Sequence, residues 1–267
     1  MDFLLQIFAG AAVGLAIGLT GVGGGSLMTP LLLLFGYPPS VAIGTDLLYA
    51  SLTKLGGVIS HQQRRNIDWN IVFLLGSGSI PGSILIHIYF LDPTFQASGE
   101  FEEVLTFSLG LMLIITSIIL IIKNKLGEYF LETEPGRPMA FIHKNRSFIT
   151  WSMGLILGGC VTLSSVGAGA LGAAILLTIY SQSQTVKVVG TDIAHAVPLT
   201  FVAGLGYMIG GYVDLILLLS LLMGSLPAIY WGSRLSTQVP DEVLKKILIV
   251  VLFGLGGYYS LIINLNN

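Results

Sequence analysis

Two acidic residues stand inside otherwise apolar stretches of this 267-residue sequence, each in the same setting: Gly44-Thr45-Asp46 and Gly190-Thr191-Asp192. A carboxylate in such a stretch is expensive and is ordinarily kept for function. Asp46 and Asp192 therefore read as ion or proton carriers, or as anchors for neighbouring backbone. The bland alternative makes each Thr-Asp pair a helix cap near an interface. His195 follows Asp192 by three residues and Thr191 by four, so all three share one helix face. A histidine changes charge near neutral pH, which makes His195 a coupling candidate beside the plainer reading of a neutral, hydrogen-bonded core histidine. Lys54 lies eight residues after Asp46, on roughly the same face. It can offset the charge of a bound anion, or snorkel towards the Arg64 side.

A glycine-rich stretch precedes each Gly-Thr-Asp: TGVGGGS at 20–26 and SSVGAGA at 164–170. Glycine is a poor helix former. A helix broken there frees backbone N–H groups at the start of the next helix, and that positive end attracts anions. The candidate anion contacts are Gly21, Gly23, Gly24, Gly25, Thr45, Lys54, Ser164, Ser165, Gly167, Gly169 and Thr191, with Asp46, Asp192 and His195 in coupling or anchoring roles. The glycines have a packing alternative, since small residues let helices approach closely. Ser164 or Ser165 with His195 would suit a hydrolase, but a dyad also needs a positioned pair and an oxyanion hole. It would leave the matching stretch at 20–26 without a purpose.

The elements that must position these residues cross a membrane. Hydrophobic residues make up 54% of the chain and charged residues only 10%, against about 25% charged in soluble domains; mean hydropathy is +0.86. The apolar runs 3–19, 41–60, 71–91, 104–122, 148–163, 188–209, 215–231 and 244–263 are each about long enough for ~30 Å of hydrocarbon. Runs 26–36 and 170–180 are shorter. The start MDFLLQ lacks the basic region of a cleaved signal peptide, so the first run is expected to stay. A single cysteine, Cys160, excludes an intrachain disulfide and a cysteine metal cluster. The net charge of −2 gives no reason to expect nucleic-acid binding. No cofactor or metal is expected.

Basic residues favour the cytoplasmic side. Arg64 and Arg65, the polar stretch 123–147, and Arg234 with Lys245 and Lys246 are therefore placed inside, while 92–103 and 209–214 fall outside. The two Gly-Thr-Asp motifs are 146 residues apart (190 − 44), and the same offset pairs Ala50 with Ala196, Asp68 with Asp214, Gly78-Ser79 with Gly224-Ser225 and Pro81 with Pro227. Upstream, an offset of 144 (169 − 25) pairs Val22-Gly23 with Val166-Gly167 and Gly25 with Gly169. The chain reads as a duplication: a first transmembrane repeat at 1–122, a cytoplasmic linker at 123–147 and a second repeat at 148–267. Equivalent loops fall on opposite sides, so the halves are expected to be inverted. The expected fold is an all-α integral membrane protein of two inverted repeats, about five helices each, with broken helices meeting near the midplane. Both termini are expected outside. Inverted repeats with broken helices recur in secondary transporters.

The first half, with its GVGGG turn, the following PLLLLFGYPPSVAIGTDLL, Lys54 and Gly57, resembles the TauE/SafE or sulfite exporter family of membrane proteins. The resemblance extends over both halves. It implies a transporter of small sulfur-containing anions such as sulfite, sulfoacetate or related organosulfonates, expected in the cytoplasmic membrane. Uptake against an inside-negative potential would need a proton or sodium ion as coupling partner. The second half departs from the pattern in having fewer glycines in its turn and no proline matching Pro30. An anion channel of the same architecture is the principal alternative, and an intramembrane serine hydrolase the weaker one.

Overall fold

A computed structural model describes residues 3–20, 27–90, 95–96, 100–132, 144–235, 246 and 249–259, with side chains for all of these except Thr20 and residues 123–132. The described residues form helices and turns and no strand. The helices are α1 (Phe3–Thr20), α2 (Met28–Leu34), α3 (Pro39–Gln63), α4 (Trp69–Phe90), α5 (Glu100–Glu132), α6 (Arg146–Ser164), α7 (Ala170–Ile179), α8 (Thr185–Ile209) and α9 (Leu215–Leu235), followed by α10 (Ile249–Tyr259). Five segments are long and apolar enough to cross a membrane: α4, residues Glu100–Ile122 of α5, α6, α8 and α9. With 25 residues α3 is equally long, but it carries Asp46, Lys54 and His61. The helices α2 and α7, with 7 and 10 residues, reach only about 10–15 Å. Large apolar side chains such as Phe8, Phe73, Ile88 and Leu219 face outward, as a hydrocarbon solvent permits. The fold is an all-α, multi-pass membrane protein. Helix α5 continues through 123–132, so the polar stretch after the first half begins as helix.

Local sequence sets the helix starts. Pro38 and Pro39 open α3, where the fixed φ and missing N–H of proline cost nothing. The Ser40 N–H and hydroxyl both donate to the Glu102 carboxylate of α5. Asp68 and Asp214 cap α4 and α9, accepting from Ile71 N (3.4 Å) and Leu217 N (2.9 Å).

The main helix pairings all join one half to the other: α1 packs along α9, α4 along α6, and α3 along α8. Contacts recur with the halves exchanged. Asp68 N donates to Thr191 Oγ1 at 2.9 Å, and Asp214 N donates to Thr45 Oγ1 at 3.3 Å. A Cβ on Gly44 would meet Tyr207 and the Tyr212 carbonyl; one on Gly190 would meet His61 and the Asn66 carbonyl. Ser51 donates to the Val197 carbonyl at 3.3 Å, and these two residues are each other's equivalents. Residues that recur at the 146-residue offset thus make recurring contacts.

The α4–α6 and α1–α9 seams depend on backbone-to-backbone approach. A Cβ on Gly158 would run into the Ser79 carbonyl, and a Cβ on its equivalent, Gly14, would run into the backbone of Ser225. Such small-residue seams hold membrane helices together where burial against lipid gives no driving force. Gly158→Leu and Gly14→Leu should each destabilise the protein by about 1–3 kcal/mol or more through overpacking. Gly76→Leu, where an added Cβ meets nothing within 4 Å, should be tolerated. Thermal unfolding of the three variants in detergent checks the contrast.

Candidate functional site

The second glycine-rich stretch is a break in the helix. Helix α6 ends at Ser164, Ser165 adopts the left-handed conformation (φ 57°), Gly167 and Gly169 have φ of 110° and 147°, and α7 starts at Ala170. Those two glycines are needed because L side chains rarely adopt such angles. The turn is buried: Ser164, Ser165, Val166 and Ala168 are at most 5% exposed. It is closed locally by Ser165 N to the Val161 carbonyl (2.7 Å) and Gly172 N to the Gly167 carbonyl (3.1 Å). The first glycine-rich turn, with Gly21, Gly23, Gly24 and Gly25, lies outside the described residues; its downstream helix α2 is described.

Asp46 lies two turns inside α3 and is fully buried. It does not cap its own helix near an interface. Its Oδ2 accepts from Thr29 N (3.2 Å) and Thr29 Oγ1 (2.6 Å) at the start of α2, and from Ser165 Oγ (3.0 Å) in the second break. One carboxylate therefore holds the α2 start of the first half and the turn of the second. A carboxylate on backbone and hydroxyl donors at a helix N-terminus is favoured by charge-assisted hydrogen bonds and the helix dipole. Asp192 takes the corresponding place at α7: it is buried, and a Cβ on Gly172, the third residue of that helix, would collide with Asp192 Oδ1.

Lys54 is 6% exposed, and its Nζ donates to the Ala168 carbonyl at 2.7 Å. It does not snorkel; it projects into the second break, within electrostatic reach of both Asp46 and Asp192. Thr200 stands in the equivalent place of α8, so this cation has no twin. His195 Nε2 lies 2.7 Å from Ser79 Oγ, and its Nδ1 has no hydrogen-bond partner. Its side-chain partner is on α4, not the Asp192 or Thr191 of its own helix face. In the other half Tyr49 occupies this position against Ser225, with its hydroxyl outside hydrogen-bonding geometry.

The remaining sequence candidates are placed differently. Thr45 and Thr191 turn their hydroxyls to Asp214 N and Asp68 N, at the joints between the halves rather than at the break. Ser164 Oγ donates to the Cys160 and Val166 carbonyls, and Ser165 Oγ is committed to Asp46. Neither serine meets His195, and the Ser79–His195 pair is sealed against α6 at Gly158. No hydrolytic dyad of the kind considered from sequence is formed. Sequence reasoning missed Thr29, Gly172 and Ser79. Thr29 is the lone hydroxyl-bearing residue of α2, but periodicity cannot say that it faces Asp46. Among the described residues, Asp46 Oδ1, Tyr49 Oη and His61 Nδ1 of α3 and His195 Nδ1 of α8 are buried polar atoms without a hydrogen-bond partner.

Comparison with known proteins gives the family. The family model described as Sulfite exporter TauE/SafE matches residues 6–259. The chain belongs to the TauE/SafE family of membrane transporters. It is 38% identical over 252 residues to the probable membrane transporter protein YjnA of Bacillus subtilis (strain 168), covering 93% of this chain and 97% of that protein. It is 27% identical over 250 residues to the probable membrane transporter protein YdhB of the same organism, covering 92% and 95%. It is 25% identical over 273 residues to the probable membrane transporter protein MJ0441 of Methanocaldococcus jannaschii, covering 96% and 93%. No solved structure matches it significantly. As a family member the chain is a transporter and not an enzyme.

If Asp46 holds the α2 start and the second break together, Asp46→Ala should cost about 1.5–3 kcal/mol for each charge-assisted bond lost without replacement, while Ser165→Ala, which removes one donor of three, should cost less. Thermal unfolding in detergent ranks the two. A larger loss for Ser165→Ala would contradict the anchoring role of Asp46.

Proposed function

We propose that this TauE/SafE transporter is a secondary carrier of small sulfur-containing anions, sulfite, sulfoacetate or related organosulfonates, across the cytoplasmic membrane. The anion binds between the two glycine-rich breaks, against Gly21, Gly23, Gly24 and Gly25 on one side and Ser164, Ser165, Gly167 and Gly169 on the other. Lys54 supplies the counter-charge, and Thr45 and Thr191 support the site from the joints. The observation that carries this reading is Lys54 itself: a buried ammonium bonded to Ala168 O inside the second break, where an anion would find it.

Asp46 and Asp192 give this site its coupling logic. Both carboxylates already occupy half-helix starts, so an arriving anion meets negative charge as well as Lys54. Binding then favours a proton or a sodium ion at one of the carboxylates, and His195 is the neighbouring group able to pass a proton. Export down an inside-negative potential needs no such partner, since each charge moved outward gains about 2.3 kcal/mol per 100 mV; uptake does need one. The two halves are inverted about an axis in the membrane plane, with both termini outside and the 123–147 segment inside. The support is the reversal of loop charge together with contacts that recur with the halves exchanged.

Flux into proteoliposomes of sulfite, thiosulfate, sulfate, sulfonates and carboxylates, with and without a pH gradient, tests the reading. Saturable flux with counterflow is expected for a sulfur anion, and Lys54→Met should weaken it roughly tenfold or more by removing a charged hydrogen-bond donor. Unsaturable flux without counterflow would make the protein a channel. Full gradient-driven flux in both Asp192→Asn and His195→Gln would make those residues structural. For topology, single cysteines near Arg64 and near Gly210, in a Cys160→Ser background, should label from opposite sides; labelling from one side would refute the inversion.

A further inference from the structure

Outside the central site lies a groove of about 570 Å³ between α3, α4 and α8, lined almost wholly by apolar side chains. Leu55, Phe73 and Pro198 contribute to its walls, and Gly76 leaves room in it, since a Cβ there would meet nothing within 4 Å. Along α4 the groove runs from Trp69 to Pro81, about 18 Å of helix and close to the depth of one leaflet. Trp69 marks one end. Its indole N–H donates to Gln62 Oε1 at 3.0 Å, which places the ring over the end of α3, beside the turn that carries Arg64 and Arg65. Both arginines are exposed, and among the described residues the ion pair of this region is Lys187 with Asp68 (3.5 Å), which leaves both arginines out.

The duplication supplies an internal control. In the second half the equivalents of Gly76 and Ser77 are the larger Leu222 and Met223, and the equivalents of Arg64 and Arg65 are Gly210 and Gly211. A small residue beside the groove and a pair of exposed arginines thus occur together in one half, and a larger residue and uncharged glycines stand at the equivalent positions of the other. A helix seam would need only the first, and a topology signal only the second.

We propose that this groove binds one anionic phospholipid from the leaflet that Arg64 and Arg65 face, with an acyl chain beside Gly76 and the phosphate at the two arginines. The occupant is a lipid rather than a second copy of the chain because an apolar channel of one-leaflet depth with cations at its interfacial end complements an amphiphile, not the face of a helix. The site is independent of which anion the protein carries.

The test uses the full chain with Trp151→Phe and Trp231→Phe, so that Trp69 alone fluoresces, in phosphatidylethanolamine vesicles doped with acyl-brominated phosphatidylglycerol or phosphatidylcholine. Basic residues at a membrane surface each contribute roughly fivefold to anionic-lipid binding. Phosphatidylglycerol should therefore quench Trp69 at a mole fraction about five- to thirtyfold lower than phosphatidylcholine does. Arg64→Gln with Arg65→Gln should bring the two curves together, and Gly76→Phe, which fills the groove, should weaken quenching by both lipids. Equal quenching of the unaltered groove by the two lipids would overturn the proposal, leaving an ordinary lipid-facing surface. So would a Trp69 insensitive to both lipids together with disulfide cross-linking between copies through Gly76→Cys, which would identify a second copy as the occupant.

Discussion

Backbone that leaves its helix inside a membrane has no water to turn to, and each unsatisfied polar group there costs several kcal/mol. The rest of this structure answers that constraint. Asp46 is the clearest part of the answer: from the middle of α3 it accepts from the backbone and hydroxyl of Thr29 and from the hydroxyl of Ser165. Lys54 does the complementary work two turns later, donating to the Ala168 carbonyl. A carboxylate and an ammonium on one helix serve a donor end and an acceptor turn of the broken elements. The same two groups bring charge to the second break, where the described chain leaves its helix.

The duplication gives the constraint a second expression. Helices α3 and α8 lie side by side, each presenting a buried carboxylate to a short helix of its own half, and each half caps a helix whose aspartate touches the threonine of the other. The halves cannot separate without exposing these joints. The glycine seams at Gly14 and Gly158 add close backbone contact on the flanks, where apolar burial supplies little because the lipid is equally apolar.

Departures from symmetry locate specialisation. At the 146-residue offset Lys54 corresponds to Thr200, His195 to Tyr49, and Gly76 with Ser77 to Leu222 with Met223. The first two pairs lie along the central helices and place one cation and one imidazole there where symmetry would give two or none. The third lies on the lipid-facing flank. In a duplicated chain each repeat shows what its partner would look like without the added feature, and these three positions stand out for that reason.

Much of this was legible in the sequence. Low charge and long apolar runs require a membrane, because there is too little polar surface to face water. The recurrence of Gly-Thr-Asp, Asp68 and Asp214, and Gly-Ser in one register reveals the duplication, because equivalent contacts constrain equivalent residue types. Glycines at 167 and 169 announce a break, since few other residues adopt positive φ. Tertiary structure alone decided which atoms meet. Sequence spacing places Asp192 and His195 on one face of a helix, yet His195 bonds to Ser79 across the interface with α4; it gives Thr45 and Thr191 polarity at the right depth, yet both turn to the joints. Periodicity fixes the direction of a side chain about its own helix axis, whereas a hydrogen bond across a seam depends on the rotation and offset of two helices relative to each other. Those are set by the packing of many glycines and apolar side chains at once, and no single motif encodes them.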